Sequence, residues 1–238
     1  MNTILENKAY LLLICLLLGI LTSFSLPPYN LFFINFLSLP VLLYILINYA
    51  NKKTISFFVG WIFGFGYFLS NLYWITNSLT FDVNFKFIIP FALILIPLFL
   101  GIFYGLVTFL SSLFNLKNKL SSVLIFSIFF GGIEFLRSFI LGGFPWNLLV
   151  FSVSNNLPSL QILSYVGTYS LNLLSITIFL LPIIFFHKYK GSAAVIFFCF
   201  GLILVVINYS YGYFNIKNFE KKKYDKLDYV ILVFSPKV

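Results

Sequence analysis

Seven long apolar stretches follow one another along the chain, separated by short connections. At about twenty residues per crossing, they predict transmembrane helices. The predicted spans are Ala9–Phe24, Leu31–Tyr49, Ser56–Leu79, Phe87–Phe114, Leu120–Leu141, Leu160–Phe186 and Ser192–Tyr213. Hydrophobic residues make up 61% of the chain and charged residues only 9%, which excludes an ordinary soluble domain. We therefore expect an all-α polytopic membrane protein of about seven transmembrane helices.

The charges of the connections predict an orientation. Lysines occupy the second, fourth and sixth connections, whereas the first and fifth, residues 25–30 and 142–159, carry no charge. The lysines concerned are Lys52, Lys53, Lys117, Lys119, Lys188 and Lys190. Because lysines near helix ends favour the cytoplasmic side, we expect a cytoplasmic N-terminus and a C-terminal tail on the outer, periplasmic face. The net charge of +9 then reflects topology and anionic-lipid contact, and no nucleic-acid partner is predicted.

The C-terminal residues differ in character from the rest. A lysine-rich linker runs over Asn215–Asp228, and Tyr229–Phe234 has the pattern of a short strand that is apolar on both faces. Such a strand belongs at the centre of a covered sheet and needs neighbours on each side. We therefore divide the chain into a transmembrane helical domain, residues 1–214, and a linker with the incomplete start of a second domain, residues 215–238.

Glu134 and Arg137 lie one helical turn apart within the fifth predicted span. A carboxylate and a guanidinium are costly in hydrocarbon, so their position there favours a functional role. In the predicted orientation they lie near the outer headgroup level. Two interpretations remain open: the pair orders polar groups or binds a lipid phosphate through the planar donors of Arg137, or it locks the packing of helices.

Aromatic and amide side chains gather at the same predicted level. Gly142 and Gly143 lead into a rigid aromatic turn, and further aromatic and amide residues end the third span. The turn contains Phe144, Pro145, Trp146 and Asn147, and the third span contributes Asn71, Tyr73, Trp74 and Asn77. An outer-leaflet cavity lined by these side chains could hold a phospholipid, although Phe144 and Trp146 could equally serve as interfacial anchors.

The sequence offers no constellation for covalent catalysis. Serines are plentiful, but no histidine or further carboxylate is placed to activate one. Cys15 and Cys199 lie in separate apolar stretches and are interpreted as small buried hydrophobes. His187, next to Lys188, is interpreted as a solvated interfacial residue. We predict no catalytic residue, no metal site and no cofactor.

Several motifs together resemble one family. They are Ser25-Leu-Pro-Pro-Tyr-Asn30, Tyr73-Trp74, Glu134-x-x-Arg137 with Gly143-Phe-Pro-Trp146, Gln161-x-x-x-Tyr-Val-Gly167-x-Tyr169, and Val230-Ile-Leu-Val-Phe-Ser-Pro236. The chain resembles the N-terminal membrane domain of bacterial apolipoprotein N-acyltransferases, with the Glu-x-x-Arg to Phe-Pro-Trp block as its most specific part. The last motif resembles the first strand of that family's nitrilase-like α/β domain.

The resemblance implies an enzyme of the bacterial inner membrane that moves an acyl chain from a phospholipid to the N-terminal diacylglyceryl-cysteine of a lipoprotein. In that family a nitrilase-domain cysteine carries the acyl group, and neither cysteine here matches it. We therefore expect the chain to lack the catalytic domain, to be inactive alone and to need a nitrilase-like half, which could be encoded as a separate chain. The residues proposed to contact lipid are Glu134, Arg137, Phe144, Pro145, Trp146, Asn147, Trp74 and Tyr169. The alternatives are a non-enzymatic lipid-binding remnant and a small transporter.

Overall fold

The computed structural model describes residues 7–117, 120–140, 145–186 and 191–221. The helices within these ranges are α1 (Lys8–Ser23), α2 (Asn35–Asn48), α3 (Lys53–Leu72), α4 (Ile89–Ser111), α5 (Ser121–Arg137), α6 (Leu157–Leu160), α7 (Leu163–Phe179), α8 (Ile183–Phe186) and α9 (Ser192–Glu220). Short 3-10 helices occupy Phe32–Ile34, Tyr73–Thr80, Val83–Ile88 and Leu149–Val153.

Helices long and apolar enough to cross a membrane dominate the fold. Within the described residues there are four, namely Lys53–Thr80, Val83–Ser111, Leu163–Phe185 and Ser192–Glu220. Shorter apolar helices cover Lys8–Ser23 and Phe32–Asn48. The predicted class, an all-α membrane protein, is confirmed. The predicted strand Tyr229–Phe234 lies outside the described residues.

Close packing of α3 against α4 and α1 forms the centre of the bundle, and glycines make it possible. A Cβ added at Gly60 would collide with the carbonyl of Tyr104 and the hydroxyl of Thr108 on α4. A Cβ at Gly66 would meet the carbonyl of Leu16 on α1. The small faces made by these glycines are therefore contact surfaces between helices.

The third span differs from its prediction. We expected one helix over Ser56–Leu79, but the α-helix ends at Leu72 and the chain continues as a 3-10 helix to Thr80. The hydroxyls of Thr76, Ser78 and Thr80 each donate to the carbonyl three residues before them. Such local side-chain bonds compete with the regular i to i−4 ladder, and here they accompany the change of helix type.

The fifth, sixth and seventh spans also differ in their limits. The fifth α-helix ends at Arg137 rather than Leu141, and residues 141–144 lie outside the described part of the chain. The predicted span Leu160–Phe186 is divided into α6, α7 and α8, and Gly167 inside α7 has a non-helical φ of 74°. Pro182, just before α8, lacks the N–H that a continuous helix would use. The last helix extends past the predicted Tyr213 to Glu220 and so includes the start of the expected linker.

The two cysteines have different surroundings. Cys15 is buried in the bundle, as predicted, whereas Cys199 is exposed on α9, so its predicted burial is wrong. The reason is that α9 packs sparsely, with only Ala194, Gly201 and Gly212 buried along the whole helix.

Candidate functional site

The carboxylate of Glu134 and the guanidinium of Arg137 lie on the last turn of α5 and are both fully buried. Glu134 is 0% exposed and Arg137 is 1% exposed. The Nη2 atom of Arg137 lies 3.9 Å from Oε1 of Glu134, so the two charges form a loose ion pair. Because buried charges are tolerated only when further hydrogen bonds satisfy them, the other partners of both groups decide what the pair does.

Glu134 is held by side chains from two other helices. Tyr104 on α4 donates its hydroxyl to Oε1 at 2.8 Å. Asn172 on α7 donates its Nδ2 to Oε2 at 2.5 Å. Hydrogen bonds to an ionised acceptor are among the stronger ones in proteins. Glu134 therefore joins α4, α5 and α7 at a single buried point.

Arg137 connects the end of α5 to the segment that follows it. Its Nη2 donates to the backbone carbonyl of Trp146 at 3.1 Å. Its guanidinium carbon lies 5.2 Å from the ring centroid of Phe68 on α3, within the range of a cation–π contact. The charge of Arg137 is thus directed at the loop backbone and an aromatic face inside the protein.

The segment after Trp146 is held by hydrogen bonds to side chains of the helix bundle. The Tyr67 hydroxyl donates to the carbonyl of Asn147 at 2.9 Å, and Asn147 has a left-handed φ of 58°. The backbone N–H of Val150 donates to Oδ1 of Asn172 at 2.9 Å. Leu148, Leu149 and Val150 are each at most 2% exposed. This connection is therefore packed into the core of the protein.

We call the side chains of Tyr67, Tyr104, Glu134, Arg137 and Asn172 the buried polar network.

Above the buried polar network, Trp146 stacks on Trp74. The ring centroids are 5.3 Å apart and the rings are inclined by 23°. Trp146 is 48% exposed and Trp74 is 43% exposed, so both rings keep a large accessible surface. The stack joins the end of the third span to the loop after the fifth.

Two open cavities share this tryptophan pair. One has a volume of about 550 Å³ and the other of about 440 Å³. Besides the tryptophans, the larger is lined by Leu26, Pro27, Asn71, Asn147, Phe151 and Ser154, and the smaller by Ile75, Asn77, Ser78 and Phe81. Both cavities combine apolar walls with amides and hydroxyls, a composition suited to an amphiphilic molecule.

The structure separates the predicted site residues into groups. Trp74, Trp146 and Asn147 line the cavities, as do Asn71 and Asn77, and Pro145 is exposed beside them. Glu134 and Arg137 lie beneath the loop and line neither cavity.

Two other predicted residues fall elsewhere. Tyr169 is partly buried, makes an edge contact with Phe135 at 5.0 Å between ring centroids, and packs beside Leu148 and Val150. Phe144 lies outside the described residues.

Three members of the buried polar network were not predicted. Tyr67 and Tyr104 lie within the glycine-rich stretches of α3 and α4, where they are easily read as packing aromatics. Asn172 carried a usable signal, because an amide in the middle of a membrane-length apolar stretch needs a hydrogen-bonding partner there.

The fold and the site together define a class: a polytopic helical membrane protein in which a buried ion pair supports a surface loop with an exposed tryptophan stack. Residues 18–181, which include this site, match the family model described as "Apolipoprotein N-acyltransferase N-terminal domain". The chain therefore belongs to the apolipoprotein N-acyltransferase family, through its N-terminal domain, as the sequence motifs predicted. Membrane-length helices and this membership indicate a bacterial inner-membrane protein.

Individual relatives support the same assignment. The chain is 28% identical over 211 residues to the apolipoprotein N-acyltransferase of Rhizobium rhizogenes, with 85% of this chain and 39% of the relative covered. It is 33% identical over 174 residues to that of Brucella melitensis, with 69% of this chain and 32% of the relative covered. The Brucella suis protein of the same name is 32% identical, again over 174 residues, with the same two shares of 69% and 32%. The chain thus spans less than half of the length of the curated relatives it matches.

Proposed function

We propose that this chain is the membrane portion of an apolipoprotein N-acyltransferase and that its tryptophan end holds the lipid substrates. The reaction served is transfer of an acyl chain from a phospholipid to the amine of a diacylglyceryl-cysteine at the start of a lipoprotein. The observation that carries the proposal is the Trp74–Trp146 stack, which borders two amphiphilic cavities and is fixed by the buried polar network. The names of the relatives support the reaction class.

The chemistry of the two cavities fits the region of a lipid where chains meet headgroup. Tryptophan rings are enriched at membrane interfaces because their faces are apolar and their edges carry an N–H. The amides of Asn71 and Asn147 line the larger cavity beside Leu26 and Phe151. Amide groups can bond ester and phosphate oxygens, while the apolar walls accept the upper part of an acyl chain.

The ion pair of Glu134 and Arg137 lines neither cavity, but the buried polar network connects it to the residues that do. Arg137 and Tyr67 donate hydrogen bonds to the carbonyls of Trp146 and Asn147, and these bonds tie the loop backbone to the bundle. A rigid site loses less entropy when it binds a ligand. Glu134 and Arg137 are therefore proposed to act as positioning residues, and Trp74, Trp146 and Asn147 to contact lipid.

The covalent step is proposed to belong to a nitrilase-like half, either continuous with residues 215–238 or supplied as a separate chain. Residues 1–214 would then form the membrane domain. We propose seven crossings, made by α1, α2, α3, α4, α5, α7 with α8, and α9.

The positions of the helix ends support an orientation for these crossings. Lys53 begins α3 and Lys117 follows α4, so both lie at the end of the bundle opposite Trp74 and Trp146. Gly212, near the end of α9, packs against Pro158, shortly after the Trp146 loop. With lysines on the cytoplasmic side, the N-terminus is cytoplasmic, and the tryptophan stack and the end of α9 face the outer side.

Photo-crosslinking in lipid nanodiscs tests the proposal. A phospholipid and a diacylglyceryl-cysteine peptide, each carrying a diazirine near the glycerol, are incorporated in turn and the labelled peptides are identified by mass spectrometry. We expect both probes to label peptides containing Trp74 and Trp146 above the level of other exposed surface. The changes Trp74→Ala and Trp146→Ala should lower this labelling severalfold, and Trp74→Phe should retain part of it.

The matched control is Phe114→Ala. Phe114 is a half-exposed aromatic residue that follows α4 at the opposite end of the bundle. Its removal should leave labelling at the tryptophan end unchanged. Equal labelling of all exposed helix surfaces, indifferent to both tryptophan variants, would rule out a lipid site at this end.

A further inference from the structure

The last helix, α9, meets the rest of the protein at few buried points. Its buried residues are Ala194, Gly201 and Gly212. Gly201 packs against the side chain of Leu181, and Gly212 packs against the backbone of Pro158 in α6. The buried contact of the C-terminal half of α9 is therefore with the short helix α6.

Two hydrogen bonds join residues 157–166, which comprise α6 and the first turn of α7, to the same half of α9. Asn208 donates its Nδ2 to the carbonyl of Ser159 at 3.1 Å. Asn215 donates its Nδ2 to Oε1 of Gln161 at 2.9 Å. We call residues 157–166 together with α9 the strap.

The strap has directional contacts inside it and apolar contacts to the core. Inside it, the rings of Tyr165 and Tyr211 meet edge to face with their centroids 5.9 Å apart. Towards the core, three partly buried side chains of residues 157–166 pack beside Leu148, Val150 and Leu171. These side chains are Leu160, Ile162 and Leu163. Apolar contacts are non-directional, so they can slide while the hydrogen bonds inside the strap persist.

A glycine with a left-handed φ bounds the strap on each side. Gly167 interrupts α7 with φ 74° and ψ 168°, and Gly191 precedes α9 with φ 121° and ψ 166°. Among the described residues, these are the two glycines of positive φ. A Cβ at either position would meet no atom of the other described residues within 4 Å, apart from the chain neighbours and the helix's own backbone. Both backbones therefore lie in a region open essentially to glycine and have space to rotate.

A gap separates α9 from α7 beyond these contacts. It contains two cavities with volumes of about 560 Å³ and about 410 Å³. Both border on Leu174 and Ile178 of α7 and on Leu204 of α9. Because lipid chains are as apolar as these side chains, helices in a membrane gain no hydrophobic energy by closing such a gap. Open and closed arrangements of α9 can therefore be close in free energy.

We infer that the strap swings as one body about Gly167 and Gly191 and so opens and closes the gap beside α7. Hinges of this kind are a few residues at the ends of helices that absorb the changes of φ and ψ. Rotation at Gly191 displaces the C-terminal half of α9 most, and α6 moves with it because Ser159 and Gln161 are bonded to α9. The inference does not depend on the proposed acyltransferase function, because no residue of the strap lines the two cavities at the tryptophan stack.

Distance measurements between spin labels in lipid nanodiscs test the inference. Labels are attached to pairs of introduced cysteines in the full chain, with Cys15 and Cys199 replaced by serine. The pairs are Ile128→Cys with Tyr213→Cys, from the bundle to the strap, Leu157→Cys with Ile203→Cys, within the strap, and Leu13→Cys with Ile128→Cys, within the bundle. All five side chains are exposed, so labels fit there. We expect the bundle-to-strap distances to be distributed about twice as widely as the other two, as a hinge motion requires. Equal widths for the three pairs would overturn the inference.

Alanine at the two glycines tests the hinges. Gly167→Ala and Gly191→Ala should each shift the mean bundle-to-strap distance, because alanine does not readily adopt these backbone angles. The distance within the strap should stay unchanged. Gly132→Ala, which adds a methyl group in open space on α5, is the matched control and should change neither distance. If Gly167→Ala and Gly191→Ala also change neither distance, the glycines are not hinges and the inference is wrong.

A second pair of variants tests whether the strap is one body. Gly212→Ala places a Cβ against the carbonyl of Pro158 and should separate α9 from α6. The distances within the strap should then be distributed about twice as widely as before, as expected when two packed elements become independent. Gly201→Ala is the control, because its Cβ meets the flexible side chain of Leu181. Equally narrow distributions in both variants would show that the contact at Gly212 does not hold the strap together, and would contradict the inference.

Discussion

Asn172 donates a hydrogen bond from its Nδ2 to Oε2 of Glu134 across 2.5 Å and so joins α7 to the buried end of α5. The other end of the same amide accepts a hydrogen bond from the backbone of Val150. One uncharged side chain therefore connects the buried carboxylate to the segment that follows the exposed Trp146. This relationship makes the ion pair and the surface loop parts of one structure.

Replacing Asn172 should destabilise the protein and loosen the loop together. In Asn172→Leu the buried N–H of Val150 loses its acceptor, which costs about 1–3 kcal/mol, and Glu134 loses a donor as well. We expect a lower thermal unfolding temperature in detergent and faster hydrogen exchange at Val150. Thr177→Val is the control, because among the described residues the Thr177 hydroxyl bonds the carbonyl of Leu173, within its own helix. Equal stability of the two variants would show that the amide does not support the network.

The ion pair should show strong coupling between its two members. Glu134→Gln leaves Arg137 as an uncompensated buried cation, and breaking a buried pair in this way costs about 3–5 kcal/mol. Arg137→Met should be similarly harmful, whereas the double variant should lose less than the sum of the two single changes. A double-mutant cycle on the free energy of unfolding measures this coupling. Additive losses would mean that the two side chains stabilise the bundle independently.

Replacement by alanine should have opposite effects on stability at two glycines, Gly60 and Gly132, because only Gly60 lies in a close contact between helices. Gly60→Ala places a Cβ against the carbonyl of Tyr104, and overpacking of this kind costs about 1–3 kcal/mol. A methyl group added at Gly132 on α5 would meet no atom of the other described residues within 4 Å, apart from its chain neighbours and the backbone of its own helix. Gly132→Ala should therefore be neutral or stabilising, since alanine favours a helix by up to about 1 kcal/mol. Thermal unfolding of both variants distinguishes them. A stable Gly60→Ala protein would contradict the observed packing of α3 on α4.

The membrane class and the family could be predicted from the sequence because both depend on residues that are close together in the chain. Hydropathy depends only on neighbouring residues, so the apolar spans could be placed within a few residues for α1 and α2. The Glu134-x-x-Arg137 motif and the Phe-Pro-Trp turn are contiguous enough to identify the family.

What could not be predicted depends on long-range pairing. Asn172 lies 38 positions from Glu134 in the chain, and Tyr67 lies 80 positions from Asn147. No local pattern in one amino-acid sequence indicates which of two such distant residues will form a hydrogen bond. The stack of Trp74 on Trp146 follows a change of the third span to a 3-10 helix at Tyr73, and no local pattern in the sequence predicted that change. The sequence alone placed Glu134 and Arg137 at a lipid-contacting surface or in a packing pair, and only their burial shows that they lie under the loop.

Cysteine accessibility tests most directly whether the tryptophan end of the bundle faces the outer side of the membrane, where the proposed lipid site must lie. Asn155→Cys, in the connection that follows Trp146, and Asn51→Cys, at the opposite end before α3, are introduced one at a time into the full chain with Cys15 and Cys199 replaced by serine. Both asparagines are exposed. We expect a membrane-impermeant maleimide to label Asn155→Cys in intact cells and Asn51→Cys only after permeabilisation. The reverse pattern would place the tryptophan stack on the cytoplasmic side and contradict the proposed orientation.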